Sequence, residues 1–399
     1  MRMVSEKFAL SRLLWMVNEE TVISKKRGFL PKKDLHKRFC YPRENGELYR
    51  RYDEAAQNLP AMLYAGTLRA HLETLPSLPI ESVGFFDGAS DAKLAFRHLS
   101  FFVSAYAWAD CVTDIDAPHA KTIPANLAVP FVALAEKLCV QPILAYWSYA
   151  LSNFAVLDNK KPIEFSNLRL LQHFTVPPYD RDESGFILPH VEIEAEAGLG
   201  LCAIVTAKNA VFHGDDDGFV SALSEISASL RTMSETFRTI PSVCSPDHYY
   251  LHVRPWIFYF KDITYEGVGH FDLLKGETGA ESAAIMSFDR ALGVLHTETE
   301  LTKHLEQLEF YRTPEQRAWL RAIEESPSIR EFAVLRKDDA RVKDAFNDAH
   351  IALGEFRREH INAAVQYIKC KGRGDIATGG THYERFLGKL IEETEANML

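Results

Sequence analysis

The six cysteines of this 399-residue chain, Cys40, Cys111, Cys139, Cys202, Cys244 and Cys370, stand far apart, and no two form a C-x-x-C pair. That spacing argues against a zinc cluster, covalent c-type haem attachment and a disulfide framework, so reduced thiols lying mostly in the core are expected. Positive charge is also scarce: 45 Lys and Arg against 55 Asp and Glu leave a net charge of −10. A phosphate-binding surface needs clustered cations, and no nucleic-acid partner is expected. The one basic run, "KKRGFLPKKDLHKR" at 25–38, reads as a solvated patch. No G-x-G-x-x-G or P-loop spacing supports nucleotide binding, and there are no low-complexity tracts or internal repeats. No apolar run approaches the roughly 20 uninterrupted residues that cross a bilayer. The segment "MRMVSEKFALSRLLWMV" is broken by Lys7 and Arg12 and lacks a small-residue cleavage site. The expectation is a soluble, cytoplasmic protein with no membrane partner.

What the chain does contain is helical periodicity. With 47% hydrophobic and 25% charged residues it can bury a large core, as two domains or one large one. Most long segments space their apolar residues at 3.6, few alternate strictly, and the fold class is predicted all-α. Thr313-Pro314-Glu315-Gln316 is a capping box with proline at the first helical position, and Ser326-Pro327 repeats the device before "SIREFAVL". The irregular stretch "FTVPPYDRDESGF" at 174–186 marks a domain junction, giving a smaller N-terminal part (1–175) and a larger one (176–399). Glycine-bearing segments at 213–218, 273–282 and 371–383 read as loops, which can bring bare backbone amides to a ligand.

One histidine stands out. In "FRREHINAAVQYI" (356–368), Phe356, His360, Ala363 and Tyr367 share a stripe that continues back through Leu353, Ala349/His350 and Phe346, so His360 faces inward. Arg357 falls between this stripe and that of Ile361, Val365 and Ile368, and a guanidinium at a buried margin needs an anion. A histidine and an arginine three positions apart could together serve a metal and the carboxylate of its macrocycle, which fits haem. From this stretch alone a core histidine bonded to a backbone carbonyl is the commoner arrangement.

The longer segment "SPSIREFAVLRKDDARVKDAFNDAHIALGEFRREHINAAVQYI", followed by "TGGT", resembles the C-terminal part of indoleamine 2,3-dioxygenases. The resemblance continues in the same order through "IPANLAVPF" (123–131), "QPILAYWSYALSNF" (141–154), "GFILPHVEIEAEAG" (185–198), "HYYLHVRPW" (248–256) and "SFDRALGV" (287–294), while the first 80 residues match loosely. It implies an all-helical fold in which a small, mostly helical N-terminal domain caps a large domain holding haem b. It makes His360 the proximal iron ligand and sets Asp289 and Arg357 in the network that fixes that ligand and a propionate. Thr278 and Gly279, in "KGETGAES", match the loop beside the haem edge.

The resemblance also supplies a substrate side. Arg254, which precedes Pro255 and is therefore expected at a helix end or kink, corresponds to the arginine that binds an amino-acid carboxylate. Tyr249 and Tyr250 take wall positions, Phe186, Tyr146 and Tyr149 line the indole pocket, and Thr378 and Gly379 close over the substrate. Tyr149 stands where the animal enzymes carry a smaller residue. His190 takes a position that is serine in animal indoleamine dioxygenases and histidine in the related tryptophan 2,3-dioxygenases, which implies a stricter pocket fixing the indole N–H. Pro189 places His190 in the first turn of a helix, where the dipole favours the neutral ring, while Glu194 favours the charged one. The pair His248 and His252 has i, i+4 metal spacing without an acidic companion and reads as coincidence.

The activity implied is insertion of both atoms of O2 across the indole C2–C3 bond of L-tryptophan, or a related indole, to give N-formylkynurenine in tryptophan catabolism by the kynurenine pathway. Two alternatives stand beside it: a superfamily enzyme acting on a modified tryptophan, such as the ring-rearranging enzyme of pyrrolnitrin biosynthesis, and a haem O2 carrier or sensor. Oligomeric state is not encoded legibly, and a monomer is the starting expectation.

Overall fold

The computed structural model describes residues 2–17, 22–33, 35, 37–39, 46–82, 90–298, 300–368, 378 and 383–399. The helices are α1 (Arg2–Met16), α2 (Gly46–Tyr64), α3 (Leu68–Glu73), α4 (Ser90–Trp108), α5 (Ala125–Leu138), α6 (Tyr146–Tyr149), α7 (Asp180–His213) and α8 (Asp216–Val243). They continue with α9 (Pro246–His248), α10 (Ala283–Leu292), α11 (Glu300–Gln307), α12 (Pro314–Glu325), α13 (Ile329–Leu335), α14 (Ala340–Tyr367) and α15 (Tyr383–Ala396). Strands are short. The parallel pair β1 (Thr122–Ile123) with β4 (Phe260–Tyr265) extends to β5 (Gly269–Leu274) antiparallel, and β2 (Phe154–Val156) pairs with β3 (Leu168–Leu170). The fold is all-α, and the β4–β5 hairpin is the largest element the helical periodicity concealed.

Local chemistry sets several helix ends. The Thr313 side chain accepts from Gln316 N while Gln316 reaches back to Thr313 N, the reciprocal box the sequence spells out. Ser326-Pro327 does not start a helix as expected: Ser326 ends α12, and Ser328 caps α13 by accepting from Glu331 N. Segment 213–218 is only a short turn, in which Gly214, at φ 70, ends α7 and Asp215 caps α8 through Gly218 N.

Three long helices organise the interior. α8 packs along both α7 and α14, and α14 packs on α15. α7 is long and apolar enough to cross a membrane by composition, and 67% of its most apolar window is buried inside the protein. α1 packs on α12 and α7, and the hydrophobic core runs continuously from Leu13 to Tyr367 across residue 175. Cys111, Cys202 and Cys244 are buried, and Cys139 is exposed.

Candidate haem and substrate site

α7, α8 and α14 do not close on one another completely. Between them, α10, α11 and the loop at 277–282 lies a cavity of about 1670 Å³, mouth included. α7 contributes Phe186, His190, Ile193 and Glu194, and α14 contributes Phe356, Arg357, His360, Ala363 and Tyr367, each set at helical i, i+4, i+7 spacing along one face. The inward stripe read on α14 is therefore real: Phe346, Ala349, His350, Leu353, Phe356 and Tyr367 are buried. Phe356, His360, Ala363 and Tyr367 of that stripe open on the cavity, and His360 is its one imidazole there.

His360 meets no hydrogen-bond partner at either ring nitrogen among the described residues. Burial and the facing His190 push its pKa down to about 4, so the ring is neutral with a lone pair free for a metal. His190 lies across the cavity, and Phe237 stands edge-on to both rings at 5.8 Å. His190 Nδ1 donates to the Phe186 carbonyl at 2.7 Å, leaving Nε2 as an acceptor directed away from the helix.

His190 is not in a first turn: α7 starts at Asp180 and runs through Pro189. Its pKa is lowered by desolvation rather than by a helix terminus, with the Phe186 carbonyl partly offsetting this. Glu194 does not bias the ring either. Its carboxyl accepts from Ser282 Oγ at 2.6 Å and Tyr146 OH at 3.2 Å, and burial raises its pKa to about 7.

Arg357 finds its anion in Asp289, and it also donates to the Leu390 carbonyl and to Thr394 Oγ1. Burial opposes ionisation of Asp289, but Arg357 and His296 outweigh it and hold the carboxyl below its ordinary value. His296 bridges Asp289, at 2.5 Å, and Glu393, at 2.6 Å. His296, Glu393 and Thr394 escaped the sequence reading because α15 reaches this side of α14 only through tertiary packing.

The walls are aromatic. Phe186 lies 4.3 Å from Tyr249 and 4.9 Å from His190, and Tyr146 stands edge-on to His190 at 6.4 Å. Thr278, Gly279 and Thr378 also line the space, with Thr378 Oγ1 donating to the Glu277 carbonyl at 2.5 Å. Gly379 lies outside the described residues. Two expected wall residues, Tyr149 and Tyr250, and the expected carboxylate arginine, Arg254, do not line the cavity. Tyr149 is fully buried in the core, its hydroxyl donating to Glu183 at 2.8 Å and its ring against Phe101 and Phe174. Arg254 and Tyr250 sit one layer back, the guanidinium 5.1 Å from the Tyr250 ring and 4.4 Å from Phe258, where a π-helical turn (Tyr249–Val253) gives way to a 3-10 turn before Pro255. His248 pairs with Asp182 at 2.7 Å and His252 stacks on Tyr179 at 3.5 Å, two separate tasks.

Two neutral imidazoles facing across an apolar, aromatic-walled cavity, one without a hydrogen-bond partner among the described residues, with a buried guanidinium three residues from it, would suit a haem held by His360. This defines a helical protein with a histidine-lined cavity suited to haem. The sequence profile of the indoleamine 2,3-dioxygenase family matches residues 18–396, including most of the stretch where the sequence motifs were loose. The chain is 31% identical to indoleamine 2,3-dioxygenase 1 of Rattus norvegicus over 90% of its own length and 93% of the relative's. It is 29% identical to indoleamine 2,3-dioxygenase 2 of Homo sapiens over 94% of each chain. A more distant relative, 22% identical over 82% of this chain and 80% of its own length, is 6-hydroxytryptophan 2,3-dioxygenase of Fusarium equiseti. The chain belongs to the indoleamine 2,3-dioxygenase family, and it is a haem-dependent dioxygenase acting on tryptophan or indoles.

Proposed function

We propose that the substrate is L-tryptophan and the product N-formylkynurenine. The observation that carries this reading is His190: neutral, with Nδ1 committed to the Phe186 carbonyl and Nε2 left as an acceptor opposite His360, it suits an indole N–H. Haem, when bound, supplies O2 binding and the redox chemistry.

The protein's own residues bind and orient. His360 would hold the iron and Arg357 offers a cation beside it, while Tyr146, Phe186, Phe237 and Tyr249 enclose a planar ring and exclude water. Arg254, which stands behind the wall and acts on the Tyr249 hydroxyl, is assigned to the substrate carboxylate, which it would reach by turning its side chain toward the cavity; a bidentate guanidinium suits that group. Thr378, buried against the Glu277 loop, closes the amino-acid end. His190 acts by holding the N–H in place, so its Nε2 accepts a hydrogen bond and does not need to take the proton. A carboxylate clamp has no use in an O2 carrier, which sets that alternative behind the enzyme.

The test is product analysis of the reduced, haem-loaded protein under oxygen-18 gas. L-tryptophan is expected to yield N-formylkynurenine carrying two labelled atoms. His190→Ser is expected to raise the KM for L-tryptophan roughly 5- to 10-fold, the worth of about one hydrogen bond. Turnover of 6-hydroxytryptophan with none of L-tryptophan would move the substrate to a modified indole, and turnover of neither would sink the reading.

A further inference from the structure

Glu277 is a carboxyl that the scheme above leaves unused. It lies in the loop between β5 and the turn at Gly279, it is 4% exposed, and it lines the cavity. Its carbonyl oxygen is taken by Thr378 Oγ1 at 2.5 Å, which fixes the loop against the substrate-closing threonine. Its carboxyl oxygens, by contrast, have no hydrogen-bond or ion-pair partner among the described residues, and burial alone raises its pKa, to about 8.

The neighbouring buried acids differ from it. Glu194 has Ser282 and Tyr146, Glu281 accepts from Tyr146 N at 2.8 Å, and Asp289 has Arg357 and His296. A desolvated carboxyl without a donor is costly to keep, and the cost is removed when a ligand brings a cation to it. Arg254 favours ionisation of the Tyr249 hydroxyl and Glu277 opposes it, so a cation and an acidic group both act on one wall tyrosine. A ligand ammonium beside Glu277 would favour its ionised form, which completes the charge pattern of an amino-acid zwitterion. The indole N–H already has its acceptor in His190, and the ring end needs no charge.

We propose that Glu277 receives the α-ammonium group of the substrate, as the counterpart of Arg254 at the carboxylate, and so selects amino-bearing indoles. This rests on the functional reading above. Glu277 is a specificity-determining residue in this scheme, since the ammonium group takes no part in the bond changes at C2 and C3.

The experiment compares wild type with Glu277→Gln, both haem-loaded, by spectral titration with three ligands: L-tryptophan, tryptamine (ammonium without carboxylate) and indole-3-propionate (carboxylate without ammonium). Matching circular dichroism and a matching Soret band establish that the variant is folded and loaded. The expected result is a 10- to 100-fold weaker Kd for L-tryptophan and tryptamine, about the worth of a charge-assisted hydrogen bond, with indole-3-propionate unchanged or tighter. Equal weakening of all three ligands, or an unchanged Kd for tryptamine, overturns the assignment of Glu277 while leaving the indole site standing. A wild-type Soret band that no indole perturbs overturns the functional reading and this proposal with it.

Discussion

At the residue scale the site depends on imidazoles kept neutral inside the fold, His360 to about 4 by burial and by His190, and His190 lowered by burial. An unfolded chain protonates these rings near pH 6.5, whereas the folded protein takes up the proton on His360 only near 4. Between those values the unfolded state binds more protons, so stability is fully present above about 6.5 and is lost as pH falls towards 4. Other groups titrate in the same range. Glu194 and Glu277, raised to about 7 and about 8, work in the opposite sense, losing stability as pH rises from their unfolded values. A difference between two proteins isolates one group. Comparing apoprotein of wild type and of His360→Ala by denaturant unfolding, the wild type is expected to lose stability relative to the variant as pH falls from 6.5 to 4. A gap constant across that range contradicts the assignment of a neutral, desolvated His360. His296 shows the opposite arrangement: burial disfavours its charge, but Asp289 and Glu393 prevail and raise its pKa, so its contribution is present below 6.5 and fades as pH climbs through the raised value.

At the scale of elements, α7 is positioned by a close approach of backbone. A Cβ at Gly198 would stand 2.6 Å from the Ser24 carbonyl oxygen and 2.8 Å from Gly28 N, and one at Gly28, itself at φ +53, would stand 2.2 Å from the Glu194 carbonyl oxygen. The turn at 24–28 therefore presses on α7 one to two turns beyond His190. Gly198→Ala is expected to cost about 1–3 kcal/mol, the usual range for overpacking a rigid contact. Thermal unfolding should register it as a lower Tm, accompanied by weaker indole binding because His190 and Glu194 share the displaced helix; an unchanged Tm would contradict so tight a contact. Helices with local signatures were legible in the sequence. The Thr313 box is self-contained, and the α14 stripe repeats over several turns, so both appear where the spacing puts them. Ser326 and Ser328 are two cap candidates two residues apart, and packing chose the second. Pro189 resembles a helix start because proline suits a first turn, yet the helix continues through it, held by α8. The β4–β5 pairing depends on register between separate segments, which helical spacing does not carry. Tyr149 and Tyr250 stand next to wall residues in sequence but project into the core layer and towards Arg254.

For the whole molecule, a core that runs unbroken from Leu13 to Tyr367 leaves His190, His360 and Glu277 lining one cavity. Its His360 side was legible because His360, Arg357 and Asp289 sit in motifs shared with a family, whereas Glu277 was not: a glutamate in a glycine-bearing loop looks solvated until the fold buries it. A group that binds only the folded state stabilises it by mass action, so haem is expected to act as part of the core. The two sides of the cavity are unequal in this account, since His360 carries no competing hydrogen bond among the described residues while His190 Nδ1 is committed to Phe186. The most direct measurement is the Soret spectrum of apoprotein titrated with one equivalent of haem, for wild type, His360→Ala and His190→Ala in parallel. The account predicts stoichiometric binding by wild type and by His190→Ala, and loss of the histidine-ligated band in His360→Ala that added imidazole restores. Retention of that band in His360→Ala, or its loss in His190→Ala alone, would contradict it.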